Sequence, residues 1–146
     1  MTPLDQIATR WIDAFNRKDL PALMALYADG AVNAQPHLAA PVVGRRAIEE
    51  DLAGFFAAFP DGRMEAPLVV VQGDVVAMEW RFEGTHQGPL VGAGGTVPPT
   101  GRVVRFMGAE FTRHDGDGLI LDERGYFDLM SFMAQLGVVP APAAAG

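Results

Sequence analysis

Residues 75–85 read VVAMEWRFEGT, and their alternation decides the architecture. Val76, Met78, Trp80 and Phe82 fall on one side of an extended chain, and Ala77, Glu79, Arg81 and Glu83 fall on the other, so the segment is a half-buried strand with one apolar face. Gly73-Asp74 before it is a tight-turn pair following a β-branched run, which makes the two segments antiparallel neighbours. Two further strands, roughly 102–113 and 119–127, are joined by Asp115-Gly116-Asp117-Gly118, a hairpin signal. Between them and the first pair, residues 86–101, HQGPLVGAGGTVPPTG, form a Gly/Pro-rich connection that either curls over a pocket mouth or is plain loop.

Upstream of the strands the apolar spacing is helical. Leu4, Ile7, Ala8, Trp11, Ala14 and Phe15 recur at intervals of three and four, with Thr2 as N-cap, Pro3 in the first turn and Asp5 completing a short capping box. Asp19 caps a second helix over residues 21–28, PALMALYA, which ends at Asp29-Gly30. AVNAQP, 31–36, is extended and HLAAPVVG, 37–44, is loop. A third helix then carries Ile48, Leu52, Phe55, Phe56 and Phe59 on one face and stops at Phe59-Pro60-Asp61-Gly62. After the last strand, Asp128 precedes a short helix, LMSFMAQL, closed by Gly137.

Helices first and a strand meander afterwards predict an α+β domain. It is a cone-shaped roll in which about three N-terminal helices pack on a curved, mostly antiparallel sheet with a short C-terminal helix, leaving a pocket between the layers. Residues 1–137 form one such domain and 138–146, VVPAPAAAG, a loose tail.

Composition limits the function. The 146 residues, 49% hydrophobic, suffice for one core without staples. With no cysteine there is no disulfide scaffold, thiolate nucleophile or thiolate-bound metal. A net charge of −7 supplies no basic footprint for nucleic acid or anionic lipid. MTPLDQIATRWIDAF lacks the basic region and apolar stretch of a secretion signal and no run is long enough to span a membrane, so the expected location is cytoplasmic. His37, His86 and His114 stand apart without matching carboxylates, so no metal is expected. There is neither a Gly-x-Ser-x-Gly elbow nor a phosphate-binding loop.

This element order, together with GTHQG at 84–88, PPTG at 98–101 and ILDERGYFDLMSFMAQLG at 120–137, resembles the SnoaL-like polyketide cyclases. These belong to the superfamily of ketosteroid isomerase and limonene epoxide hydrolase. The resemblance implies a cofactor-free enzyme that closes a polyketide ring by an intramolecular aldol reaction, in an apolar pocket with one acid/base carboxylate. The departures are specific. The position of the family's acid/base aspartate is Gly125 here. The hydrolases' arginine and aspartate align with Trp80 and Phe82, and the isomerases' proton-shuttling aspartate falls among Asn33, Ala34 and Gln35.

Other residues can replace the missing chemistry. With Asp115–Gly118 as the turn, Glu110 falls directly opposite Glu123, on the face shared with Gly125. Two carboxyl groups in an apolar cavity cannot both ionise cheaply, so one keeps its proton and the pair becomes an adjacent acid and base. The competing arrangement puts both on a solvated face, neutralised by arginines such as Arg81 or Arg105, and a one-residue slip in register would separate them. Asp128 is a third acid, although its place at a strand-to-helix junction suits an N-cap. His86 is either a donor or base toward a substrate carbonyl or a group that satisfies the backbone at a bend. Asn33 either holds a ligand oxygen or is a turn residue. Trp11, Phe15, Tyr27, Phe56, Trp80, Phe82 and Thr112 are candidate ligand contacts, with the aromatic ones serving equally as core. Arg124 and Tyr126, with Met107 and Phe111, fall on the opposite face, which points to homodimerisation through the sheet.

Three functions remain open: an acid/base enzyme acting on a small apolar molecule, a non-catalytic binder of such a molecule in which Gly125 marks lost chemistry, or a structural or dimerisation module.

Overall fold

A computed structural model of the chain describes residues 3–92 and 94–140. Helix α1 (Leu4–Arg17) buries Ile7, Ala8, Ala14 and Phe15, the stripe that the spacing predicts. Pro3 occupies its N-cap position rather than its first turn, with no side-chain cap, and Thr2 lies outside the described residues. Lys18 ends the helix in a left-handed conformation (φ 55°), and its N–H closes onto the Ala14 and Phe15 carbonyls. Asp19 then caps α2 (Leu20–Met24) by accepting a hydrogen bond from the Ala22 N–H at 3.0 Å.

The second helix is shorter than its sequence pattern predicts. At Tyr27 the chain is already extended, and β1 (Tyr27–Ala34) contains the Asp29-Gly30 pair expected to end the helix. Tertiary pairing wins over local propensity: β1 runs parallel to β8 (Ile120–Phe127), with Tyr27 against Ile120 and both residues fully buried. On its other side β1 pairs with the two-residue β2 (Val42–Val43), after which Gly44 at φ 93° opens α3 (Arg45–Ala58).

The rest is the expected meander: β3 (Arg63–Gln72), β4 (Val75–Thr85) and β7 (Val103–His114), then β8. The sheet order is β2-β1-β8-β7-β4-β3, antiparallel except at the β1/β8 pair. The Gly/Pro-rich connection is not plain loop, for it folds a small hairpin of its own, β5 (Leu90–Gly92) with β6 (Gly95–Val97). Helix α4 (Leu129–Gln135) follows β8, and Gly137 at φ 78° succeeds it. Residues 141–146, most of the expected tail, lie outside the described residues.

Val76, Met78, Trp80 and Phe82 are buried on the inner face, as their alternation requires. What the helices and sheet enclose is largely filled. Phe15, Phe55, Phe59, Phe82, Phe106 and Phe132 form a continuous cluster with ring centroids 4.7 to 6.3 Å apart. The pocket expected between the layers is a small void beside Val76 and Met78, near the start of β4.

Candidate functional site

That void has a volume of about 20 Å³ and lies between α1 and the sheet. Ile7, Ala8 and Trp11 roof it, Val76, Met78 and Ile120 floor it, and its polar walls are Glu110, Thr112 and Glu123. Both glutamates point inward, and the arginines offered as their surface partners are engaged elsewhere. Arg81 meets Glu65 at 4.0 Å and Arg105 meets Glu83 at 2.9 Å, with all four side chains more than half exposed.

The two carboxyl-bearing residues are not directly opposite. Glu110 pairs with Gly125, and Thr112 pairs with Glu123. The connection spans residues 115–119, one more than the expected turn, and a bulge between Arg113 and His114 adds one more, so the register shifts by two residues. An even shift keeps both side chains on the inner face and makes them diagonal neighbours, at about 7 Å between Cβ atoms.

Glu123 is held by its neighbours. The Tyr27 hydroxyl donates to its Oε2 at 2.7 Å, and Asn33 Nδ2 donates to its Oε1. Trp11 Nε1 donates to the Tyr27 oxygen at 2.8 Å, and Gln35 Nε2 donates to Asn33 Oδ1 at 3.1 Å. The chain from helix α1 through β1 thus converges on one carboxylate. Burial raises the Glu123 carboxyl, the Tyr27 and Asn33 hydrogen bonds oppose that, and it is pushed up to about 7. Glu110 stands well above the ordinary range, first because its carboxyl is enclosed and then because the Glu123 charge faces it, with the Trp80 indole N–H opposing. Burial and the Glu123 charge also raise Tyr27, which keeps its proton as a donor.

These environments are unequal. Two donors on Glu123 favour its ionised form, while Glu110 faces that charge and retains its proton. The pair is therefore unequal, Glu123 being the carboxyl with donors to its anion and Glu110 the one that keeps its proton, a distinction that sequence pairing alone does not make.

Asn33 is present at the site in a supporting role, spent on Glu123 through one amide hydrogen. Thr112 and Trp11 line the cavity. Tyr27 reaches it through Glu123, and Trp80 through Glu110. Phe15, Phe56 and Phe82 are buried in the aromatic core and do not line the void. His86 is not brought to the site, since it lies eight residues along the chain from Met78, the cross-strand partner of Glu110, about 26 Å at an extended rise. It is fully buried at the bend, where its Nδ1 accepts from the Thr100 N–H at 3.2 Å, the backbone role open to it from sequence. Asp128 is exposed and accepts from the Ser131 N–H at 3.0 Å, so it is the cap of α4 and not an acid of this site. Among the described residues no group of three His, Asp or Glu side chains has the arrangement of a metal site. No helix among them is long and apolar enough to cross a membrane.

The family model of the SnoaL-like polyketide cyclases matches residues 5–136. The chain belongs to that family. Among solved structures, IdmH from Streptomyces antibioticus, described as a candidate polyketide cyclase, is 30% identical with a TM-score of 0.76, over 94% of this chain and 100% of that one. AclR from Streptomyces galilaeus, described as a candidate hydroxylase, is 23% identical with a TM-score of 0.82, over 97% and 85%. A SnoaL-like protein from Jannaschia is 23% identical with a TM-score of 0.81, over 96% and 98%. The last two likenesses establish the fold alone. No curated protein matches the chain in sequence. This SnoaL-like protein places glutamates at 110 and 123 around a glycine at 125.

Proposed function

We propose that this SnoaL-like protein is an acid/base catalyst that needs no cofactor and acts on an apolar ketone, by aldol cyclisation or isomerisation. Glu123 removes a proton from the carbon beside the carbonyl, and Glu110 gives its proton to the carbonyl oxygen, so the enolate never carries a full charge. The observation that carries this reading is the inequality of the buried pair: one carboxyl is stabilised as an anion by Tyr27 and Asn33, the other is kept neutral by burial and by that anion. A substrate reaches them where Ile7, Ala8 and Trp11 of α1 yield, because these side chains close the cavity.

The test is deuterium exchange at the α-carbon of aromatic and alicyclic ketones in D2O, followed by NMR. Exchange should be accelerated by the wild-type protein and should fall about 100-fold or more in both Glu110→Gln and Glu123→Gln, the usual scale of a lost general acid or base. Equal rates in the wild type and both variants would overturn the reading. The second reading, a non-catalytic binder, is favoured by Gly125, which leaves the family's customary acid/base position without a carboxyl. Ketones that raise the melting temperature with no accelerated exchange would support it instead.

A further inference from the structure

The third polar wall of the cavity, Thr112, takes no part in the pair described above, yet its hydroxyl is oriented. His114, buried beside it, has Nδ1 at 3.0 Å from the Gly118 carbonyl and Nε2 at 2.7 Å from Thr112 Oγ1. A carbonyl only accepts, so Nδ1 carries the imidazole proton and, in neutral His114, Nε2 is a lone pair. Thr112 must then donate its single hydrogen to His114. The competing acceptor, the Val76 carbonyl, is farther, at 3.4 Å. What remains of the hydroxyl, on a residue that lines the cavity, is an acceptor.

The walls therefore present one donor, the protonated Glu110, and two acceptors, Glu123 and Thr112. A void of about 20 Å³ holds one water and little else, and a water needs two to four polar partners to be stable when buried. We propose that this cavity is a binding site for a single water, which donates one hydrogen to Glu123 and the other to Thr112 and accepts from Glu110. The inference deepens the acid/base reading and rests on it for its function.

The water's task is to reset the pair. When the enol leaves before carbon is reprotonated, Glu123 holds the proton taken from carbon and Glu110 has given its own to oxygen. Glu123 spends its hydrogen bonds on Tyr27 and Asn33 and none on Glu110, so the proton needs a carrier. The water takes the proton from Glu123 and passes one of its own hydrogens to Glu110, so that one O–H bond forms on the water as another breaks and no net charge or atom is gained. Thr112 holds the hydrogen that does not move, and because it can only accept it never competes to supply a proton.

Crystals of the wild type, Thr112→Ser, Thr112→Val and Glu110→Gln test this at a resolution that shows ordered surface waters. An isolated oxygen at about 2.8 Å from Thr112 Oγ1 and the Glu123 carboxylate is expected in the wild type. It should persist in Thr112→Ser and in Glu110→Gln, whose amide also donates, and vanish in Thr112→Val. Ketone exchange should slow about tenfold in Thr112→Val, the scale of one lost hydrogen bond, and recover in Thr112→Ser. An empty wild-type cavity, or an unmoved oxygen in Thr112→Val, would overturn the assignment, and the wild-type result decides even where the valine variant does not fold. The crystallographic outcome is independent of turnover: a bound water with no ketone exchange removes the catalytic reading alone, whereas exchange dependent on both glutamates with a dry cavity removes the water alone.

Discussion

Glu110 lies across from Gly125, and a Cβ built at 125 would come within 3.1 Å of Glu110 Oε2 and 3.3 Å of Oε1. The bare backbone at 125 is what leaves room for the acid from the neighbouring strand. Gly125→Ala should push the carboxyl of Glu110 by a few tenths of an ångström. The atoms to be displaced are the end of a flexible side chain, so stability should change by less than about 1 kcal/mol. Ketone exchange should nonetheless fall. A kinetic and thermal-melt comparison checks this, and an unchanged rate would mean that the position of the Glu110 carboxyl does not matter.

The raised carboxyls tie stability to pH. A carboxyl whose folded-state value lies above its unfolded value is bound to its proton more tightly in the fold, so its contribution is fully present below the unfolded value, near 4.5, and is lost as pH rises through the folded value. For Glu123 that window runs from 4.5 to about 7, a change on the order of 3 kcal/mol at 1.36 kcal/mol per unit, and Glu110 extends it upward. Denaturant melts from pH 4.5 to 8.5 should show stability falling across this range. Glu110→Gln should flatten the fall, because a neutral amide carries no penalty for ionisation. An identical slope in that variant would place the Glu110 carboxyl in contact with water.

Tyr27→Phe removes one of the two donors that favour the Glu123 anion. The acid limb of the pH–rate profile should move to higher pH, since a hydrogen bond that opposed the rise of Glu123 is gone. The change also orphans the Trp11 indole N–H, at a cost of about 1–3 kcal/mol in stability. A limb that stays in place while stability falls would reduce Tyr27 to a packing residue.

This dependence marks where the sequence stops being informative. The alternation of Val76 to Phe82 and the helical stripes of α1 and α3 are local patterns, and the roll follows from them. That Glu110 and Glu123 share a face was legible too, because a face is a matter of parity and survives a shift of two, but parity leaves open whether that face points inward. The bulge at Arg113/His114 was not, since an extra residue in one strand leaves the alternation around it almost unchanged. The donors to Glu123 come from β1, 96 and 90 residues away in Tyr27 and Asn33. A parallel pairing at such separation has no turn to announce it, so Tyr27 reads as the end of a helix. The small β5/β6 hairpin hides for a different reason: its three-residue strands are too short to show a period.

His86 is expected to matter for folding and not for turnover. It is fully buried against Phe59, with ring centroids 5.4 Å apart, and its Nδ1 satisfies the Thr100 N–H. Its Nε2 is the buried side-chain atom without a partner among the described residues. His86→Ala should cost about 2–4 kcal/mol through the lost packing and the orphaned amide. Exchange per folded molecule should be unchanged, and a tenfold drop there would return His86 to the chemistry.

The last expectation is a homodimer through the outer face of the sheet. Across the strands, Val70 of β3 aligns with Ala77 of β4, then with Phe111 of β7 and Arg124 of β8. Val70, Phe111 and Tyr126 are between 45% and 52% exposed, and the rings of Phe111 and Tyr126 pack edge-on with centroids 6.0 Å apart. Toward the other end the same face carries the Arg81–Glu65 and Arg105–Glu83 pairs. An apolar area beside charges of both signs can be complementary to itself under a twofold axis, which is what a symmetric interface demands. Sedimentation should give a dimer for the wild type. Phe111→Glu should dissociate it, because a charge directly opposite an equivalent surface must be desolvated without a partner. Since position 111 is exposed, folding of the monomer should be little affected, so a variant that stays dimeric would move the interface off this face.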